Sequence, residues 1–382
     1  MSAEESSEDP PDVADLASVF HTYRVERDGE TVRYIGEPLV SLRELGDELA
    51  PQFARRGYEI TVERRNERRG APAPYAIVAE PESVGFNGVP WGNVLMFVLT
   101  VATTLYAGTW WYHIDLAGDP LAIVEAWPFT AAVLGVLVTH ELGHYVVSRY
   151  YSVDASLPYF IPVPPPIGTM GAIIRMRGRI PTRKALFDIG IAGPLAGLAA
   201  TIVVTVIGLQ MDPITVPGSV AQAASQGGGY IQFNDPLLME LLADLVGQPT
   251  DYVDDPTRAV NPVVFGGWVG MFVTFLNLIP VGQLDGGHIL RAALGNRHET
   301  VAAAIPGLLI ALAAGLYFLT NYSHSVVLWA IWGVIAFVMV RAGSATPLDE
   351  APIGPWRWGL AALTFALGAL CFMPVPVEIV LA

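Results

Sequence analysis

The 382 residues predict a polytopic, all-α membrane protein preceded by a small α+β soluble domain, and three observations carry that prediction. The chain is 52% hydrophobic and only 15% charged, with a mean hydropathy of +0.45, far too apolar for a soluble chain of this length. Seven segments, two of them somewhat short, approach the length of about 20 apolar residues that a helical span needs; they are roughly 91–113, 128–150, 186–210, 262–280, 300–320, 324–341 and 357–380. The basic residues beyond the N-terminal domain fall in alternate loops, ten on one side and Arg258 alone on the other. By the positive-inside rule this places the N-terminus in the cytosol and, with seven spans, the C-terminus outside.

The elements follow in chain order. Residues 1–16 form an acidic tail, expected to be disordered because "MSAEESSEDPPDVAD" offers almost nothing to bury. The first 18 residues are acidic rather than basic and apolar, so no secretory signal is expected there. Residues 17–86 are expected to be a cytosolic domain. In it "VFHTYRV", "TVRYIGE", "SLRELGDELAPQFARRG", "YEITVER" and "PYAIVAE" read as strand, strand, helix, strand, strand. The arginine-rich "VERRNERRG" is a solvated strand end or hairpin rather than a nucleic-acid patch, because glutamates interleave and the first 86 residues hold 18 acids against 10 arginines. Nucleic acid is therefore not an expected partner.

Residues 91–382 form the membrane domain. Its outer loop from Met211 is acidic and rich in Gly, Ser and Pro, with "DPLLMELLADLVG" as an amphipathic surface helix. "GTWWYH" at 108–113 reads as an aromatic belt at the bilayer interface. Net charge is −15 with Lys184 the single lysine, which points to a high-salt organism in which carboxylates keep exposed domains hydrated. The lone Cys371 excludes a disulfide within the chain.

The chemistry concentrates in "LVTHELGHYVVSRYY", residues 137–151, where two histidines and a glutamate interrupt an apolar span. His140 and His144 are four apart and so share one helix face, the spacing with which two imidazoles grip one Zn²⁺. Glu141 beside them has the place of a base that takes a proton from water. The competing reading is that each histidine only hydrogen-bonds a neighbouring helix. Ionisable groups at membrane depth are costly, however, and as a rule functional. A third ligand must come from elsewhere, and the candidate is Asp285 in "NLIPVGQLDGGHILRAALG", residues 277–295. There Pro280 and Gly282 break a span, and a broken helix at that depth must face protein or a water-filled cavity. Two readings compete with that role: Asp285 only caps the short helix that follows, or His288 is the ligand instead.

With both motifs in view, the chain resembles the site-2 proteases, a family of intramembrane zinc proteases: HExxH at 140–144 and NxxPxxxxDG at 277–286 are matched without a substitution. "PYFIPVPPPIGTMGAIIRMRGRIPTRKALFDIGIAGPLAG" and "NPVVFGGWVGMFVTFLNLIPVGQLDGG" are similar to the plant ethylene-dependent gravitropism-deficient branch and its archaeal relatives, and the composition favours a halophilic archaeon. The resemblance implies a catalytic core over about 128–295 with one Zn²⁺ per chain on His140, His144 and Asp285. It further implies acid and base work by Glu141 and a polar contact to the substrate carbonyl by Asn277. The implied activity is hydrolysis of peptide bonds in or near a transmembrane segment of another protein, at the cytosolic half of the bilayer. A small membrane-embedded β-element would come from "GTMGAIIRMRGRIP", whose period of 2 indicates strand. The alternatives from other classes are a metal-ion transporter and a catalytically inactive membrane chaperone.

Overall fold

The computed structural model describes residues 9–29, 31–64, 75–81, 89–174, 176–177, 180–225, 230–252, 254–320 and 323–380. The chain divides into two compact units, Met1–Asn87 and Gly88–Ala382. In the first unit a helical turn α1 (Val13–Leu16) leads into β1 (Phe20–Asp28), β2 (Thr31–Pro38), α2 (Leu42–Ala54), β3 (Tyr58–Arg64) and β4 (Tyr75–Pro81). The strands form one antiparallel sheet in the order β1-β2-β4-β3. Ser41 caps α2 by accepting from the Glu44 N–H. The helix then turns Leu45, Leu49 and Phe53 onto Val32, Tyr34, Ile77 and Ala79, which closes the core.

The acidic tail differs from expectation from Asp9 onward, while residues 1–8 lie outside the described residues. Leu16 is fully buried, and the Tyr34 hydroxyl donates to the Pro11 carbonyl at 2.6 Å. One buried leucine and one buried hydrogen bond order a stretch whose average composition is that of a coil. Burial pushes the Tyr34 pKa up to about 12. The turn expected at "RNERRG" lies outside the described residues.

The second unit begins with α3 (Trp91–Trp111) and α4 (Trp127–Tyr150). Four short strands follow, β5 (Asp154–Ala155), β6 (Tyr159–Pro162), β7 (Thr169–Ile173) and β8 (Met176–Arg177), and then α5 (Arg183–Gln210). Short elements come next: β9 (Ile214–Thr215), α6 (Gly218–Ser225), β10 (Tyr230–Phe233), α7 (Leu237–Val246) and β11 (Arg258–Ala259). The rest is α8 (Pro262–Asn277), α9 (Asp285–Leu294), α10 (His298–Leu319), α11 (Ser323–Ala342), α12 (Pro355–Leu370) and β12 (Val377–Val380).

Among the described residues, five helical stretches are long and apolar enough to cross a membrane, namely Trp91–Trp111, Pro120–Tyr150, Arg183–Gln210, Asp285–Leu319 and His324–Ala342. Seven were expected. The other two, α8 and α12, have 16 residues each, about 24 Å of rise against a hydrocarbon core of about 30 Å. The segment expected at 357–380 stops being helical at Leu370. Pro374 and Pro376 lack the N–H that a helix would need. Beyond them Val377–Val380 pairs antiparallel with Tyr230–Phe233.

Helices α4, α5 and α8 pack on one another, and α9 packs on α5. The β-element is fastened to α3: Asn93 donates to the Leu157 carbonyl at 2.7 Å, and Thr103 to the Gly168 carbonyl at 2.7 Å. In "GTWWYH" only part of the expected belt is seen. Trp110 is exposed, but Trp111 stacks on Phe265 with centroids 4.1 Å apart and donates its indole N–H to the Pro166 carbonyl. That hydrogen-bond acceptor and the aromatic partner come from distant segments, which a local reading does not see.

Past α11, residues 343–350 return as a strap along the chain leading into α5. The Leu348 N–H donates to the Ile180 carbonyl at 2.9 Å and the Asp349 N–H to the Pro181 carbonyl at 3.1 Å. Arg291 pairs with Glu350 behind it. Arg183 caps the end of α9 by donating to the Ala292 and Ala293 carbonyls, the place where a cation meets the negative end of a helix.

Candidate metal centre

Helical spacing places His140 and His144 one turn apart on the inner face of α4, and the chain break 278–284 delivers the third group. Helix α8 ends at Asn277, the chain turns through Pro280 and Gly282, and α9 starts at Asp285. The cap position of α9 is Leu284, with no side-chain cap. The Asp285 carboxylate is directed to the histidines instead: Oδ2 lies 3.2 Å from His140 Nε2 and Oδ1 lies 3.2 Å from His144 Nε2. The two Nε2 atoms are 3.3 Å apart. His140, His144 and Asp285 thus offer one ligand atom each within 4.8 Å of one another, and they are the one such cluster among the described residues.

These separations suit a metal. Tetrahedral zinc with bonds of about 2.0–2.1 Å sets its ligand atoms about 3.3–3.4 Å apart. The donor set, two imidazoles and a carboxylate, is one that zinc takes in catalytic sites with a fourth position open. The tautomer of His144 also fits. The Ile189 carbonyl lies 2.8 Å from its Nδ1 and can only accept, so Nδ1 carries the proton and Nε2 is left with its lone pair.

Packing behind the histidines explains "GIAGPLAG" on α5. A Cβ on Gly193 would lie 2.0 Å from His144 Nε2, and one on Gly197 would lie 2.7 Å from His140 Nδ1. The two glycines leave the space in which the imidazoles stand.

The cluster opens on a cavity of about 990 Å³. Glu141, 5% exposed, lines it together with the three candidate ligands. Asn277 lines it too, its Nδ2 at 3.3 Å from His140 Nε2. The apolar wall is Ala172, Ile173, Ile174 and Ile180 from the β-element and its exit, and Gly343–Thr346 of the strap form another side. All five residues singled out in the two motifs therefore meet in one place.

His288 also lines the cavity but is not part of the ligand cluster. His298 is an ordinary core histidine whose Nδ1 donates to the Gly295 carbonyl at 2.8 Å. The strap residues and Gln283 escaped the sequence reading. A polar glutamine in an otherwise apolar break was a usable signal, whereas nothing local marks the strap.

Residues 128–319, just over half of the chain, match peptidase family M50. The chain belongs to this family. The chain is 30% identical over 65% of its length to "Probable zinc metalloprotease EGY1, chloroplastic" of Arabidopsis thaliana, covering 43% of that protein. It is 31% identical over 65% of its length to "Probable zinc metalloprotease EGY2, chloroplastic" of Oryza sativa subsp. indica, covering 42%. To "Probable zinc metallopeptidase EGY3, chloroplastic" of Arabidopsis thaliana it is 26% identical over 93% of its length, covering 62%. The chain thus spans about half the length of the curated relatives it matches. Among solved structures, a site-2 protease from Methanocaldococcus jannaschii aligns with a TM-score of 0.30 and 16% identity, covering 67% of this chain and 91% of that one.

Proposed function

We propose that this M50 peptidase is a zinc-dependent endopeptidase that hydrolyses peptide bonds in or near membrane-spanning segments of other proteins. The observation that carries the reading is the convergence of His140, His144, Asp285 and Glu141 on one cavity between apolar helices. His140, His144 and Asp285 would hold the zinc, which when bound would supply a Lewis acid for water and for the scissile carbonyl.

The chain's own groups do the rest. Glu141 takes a proton from the attacking water as its oxygen bonds to the scissile carbon, then hands that proton to the departing amide nitrogen as the C–N bond breaks. Asn277 directs an amide N–H at the carbonyl oxygen, where negative charge grows. The edge of β7 beside the cavity receives the substrate as an added strand, which holds it unwound. A transporter has no use for a carboxylate immediately after its first metal-binding histidine, so the buried Glu141 favours the peptidase.

In this reading α8 with the 278–284 break, and α12 with the chain after it, complete seven crossings. Ten of the eleven basic residues of the membrane domain then face the cytosol, as does the soluble domain. From His140 to the end of α4 at Tyr150 is ten residues, about 15 Å of rise, so water reaches the site from the cytosolic side. The acidic, lysine-poor composition supports a high-salt habitat.

The test of function is a strain in which Glu141→Gln replaces the natural chain. Precursors of single-span membrane proteins accumulate in it and their shorter products disappear, as read by membrane proteomics. An unchanged membrane proteome sinks the reading.

Ligation has its own test. Asp285→Asn exchanges a charged oxygen for a neutral one and is expected to lower zinc affinity about 10- to 100-fold, with hydrolysis falling in step. Full zinc in the purified variant, by elemental analysis, removes Asp285 from the ligand set.

A further inference from the structure

His288 is the buried polar group at this site for which the two motifs leave no task. It is 5% exposed, lines the same cavity as the ligands, and stands three residues after Asp285, hence on the same face of α9. Helix α5 presses on it from behind: a Cβ on Gly190 would meet the His288 Cβ at 3.0 Å. Its Nδ1 is buried without a hydrogen-bond partner.

That atom decides which ring nitrogen holds the proton. A buried N–H with no acceptor is the more expensive kind of orphan, so the neutral ring keeps Nδ1 as a bare lone pair and carries its hydrogen on Nε2. Two other histidines with an assigned Nδ1 contact show the opposite arrangement, His144 donating to the Ile189 carbonyl and His298 to that of Gly295. A metal ligand through Nε2 would need that same arrangement. Neither ring nitrogen of His288 joins the cluster of ligand atoms, so the ring is placed to donate from Nε2 rather than to ligate.

We propose that His288 is a further catalytic residue, whose Nε2–H donates a hydrogen bond to a backbone carbonyl of the bound peptide next to the zinc ligands. The proposal rests on the peptidase reading above. An extended peptide brings to the cavity a row of carbonyl acceptors, and with Asn277 the site then offers two side-chain donors to them.

The experiment uses the full-length, zinc-loaded protein in detergent with a library of internally quenched peptides built around single apolar spans. His288→Leu keeps bulk and removes the donor, and kcat/KM falls about 10- to 100-fold, the order for leaving a buried peptide carbonyl without its donor. Zinc content stays at the natural level. His288→Gln puts an amide N–H near the position of Nε2 and regains most of the loss. Nitrogen-15 spectra of the histidine-labelled protein, with seven histidines to resolve, show the His288 signal, identified by its absence in His288→Gln, protonated at Nε2 and bare at Nδ1.

Full activity in His288→Leu means the ring only fills space and overturns the proposal. Loss of zinc in His288→Gln makes it a ligand, and a proton on Nδ1 refutes the tautomer; either overturns the proposal as well. Should His288→Leu fail to fold, His288→Gln and the spectra still decide. A zinc-loaded natural protein that cuts none of the library overturns the peptidase reading itself and the proposal with it, an outcome distinct from intact cleavage that is indifferent to His288.

Discussion

Glu141→Gln keeps its zinc and loses its cleavage. The exchange is nearly isosteric, and it alters none of the atoms in the cluster of His140, His144 and Asp285, so metal content stays at the natural level. What it removes is a proton acceptor: a glutamine amide neither takes a proton from water nor passes one to the leaving nitrogen. A positioned acid or base is worth about 10²–10⁴ in rate, and here one residue serves in both steps. The expected result is a drop toward the upper end of that range in kcat, measured on purified protein alongside elemental analysis. Cleavage at the natural rate would take Glu141 out of the mechanism, and zinc loss would mean that the carboxylate helps to hold the metal. The outcome also separates reaction classes, because a metal transporter whose ligands are intact has no reason to fail.

The residues that meet at the cavity were legible in the sequence because their signals are local. A four-residue interval fixes His140 over His144 on any helix. Pro280 and Gly282 announce the break that frees Asp285 by removing a donor and relaxing the backbone. The order of elements in the first unit was readable for the same reason, since strand alternation and helical spacing are each written within a few residues. What escaped is non-local. A hydropathy window extends the last apolar segment through Val377–Val380 because it registers apolarity and not the strand Tyr230–Phe233 that pairs there. Trp111 looks like a belt residue until Phe265 and the Pro166 carbonyl are brought beside it. The strap 343–350 is fastened through hydrogen bonds to Ile180 and Pro181, more than 160 positions earlier, and from Ser344 to the Gly282 carbonyl. The purpose of "GIAGPLAG" was likewise invisible, because a glycine's reason is the atom it makes room for.

That reason gives the second large prediction. In Gly193→Ala no ligand is altered, yet the new methyl carbon would stand 2.0 Å from His144 Nε2 and 2.3 and 2.5 Å from the ring carbons Cδ2 and Cε1, well inside the roughly 3.5–4.0 Å of ordinary carbon contacts. Something has to move. Helix α5 has little freedom to recede, since it is packed against α4, α8 and α9 at once. The ring therefore turns, which breaks its bond to the Ile189 carbonyl and carries Nε2 away from the point where the three ligand atoms meet. Loss of a comparable orienting contact lowers metal affinity about 10- to 100-fold, and displacement of the ligand atom itself goes beyond that. Zinc and hydrolysis are expected to vanish together in Gly193→Ala. Gly197→Ala, where the nearest atom is His140 Nδ1 at 2.7 Å, loses less. The helix itself is not the cause, because replacing an interior glycine by alanine favours the helix by about 1 kcal/mol. Gly135→Ala on α4, where a Cβ meets nothing within 4 Å, is the matched control and retains both metal and activity. Natural zinc affinity in purified Gly193→Ala would show that α4 and α5 slide apart freely, and the glycines would then be there for some reason other than the histidines.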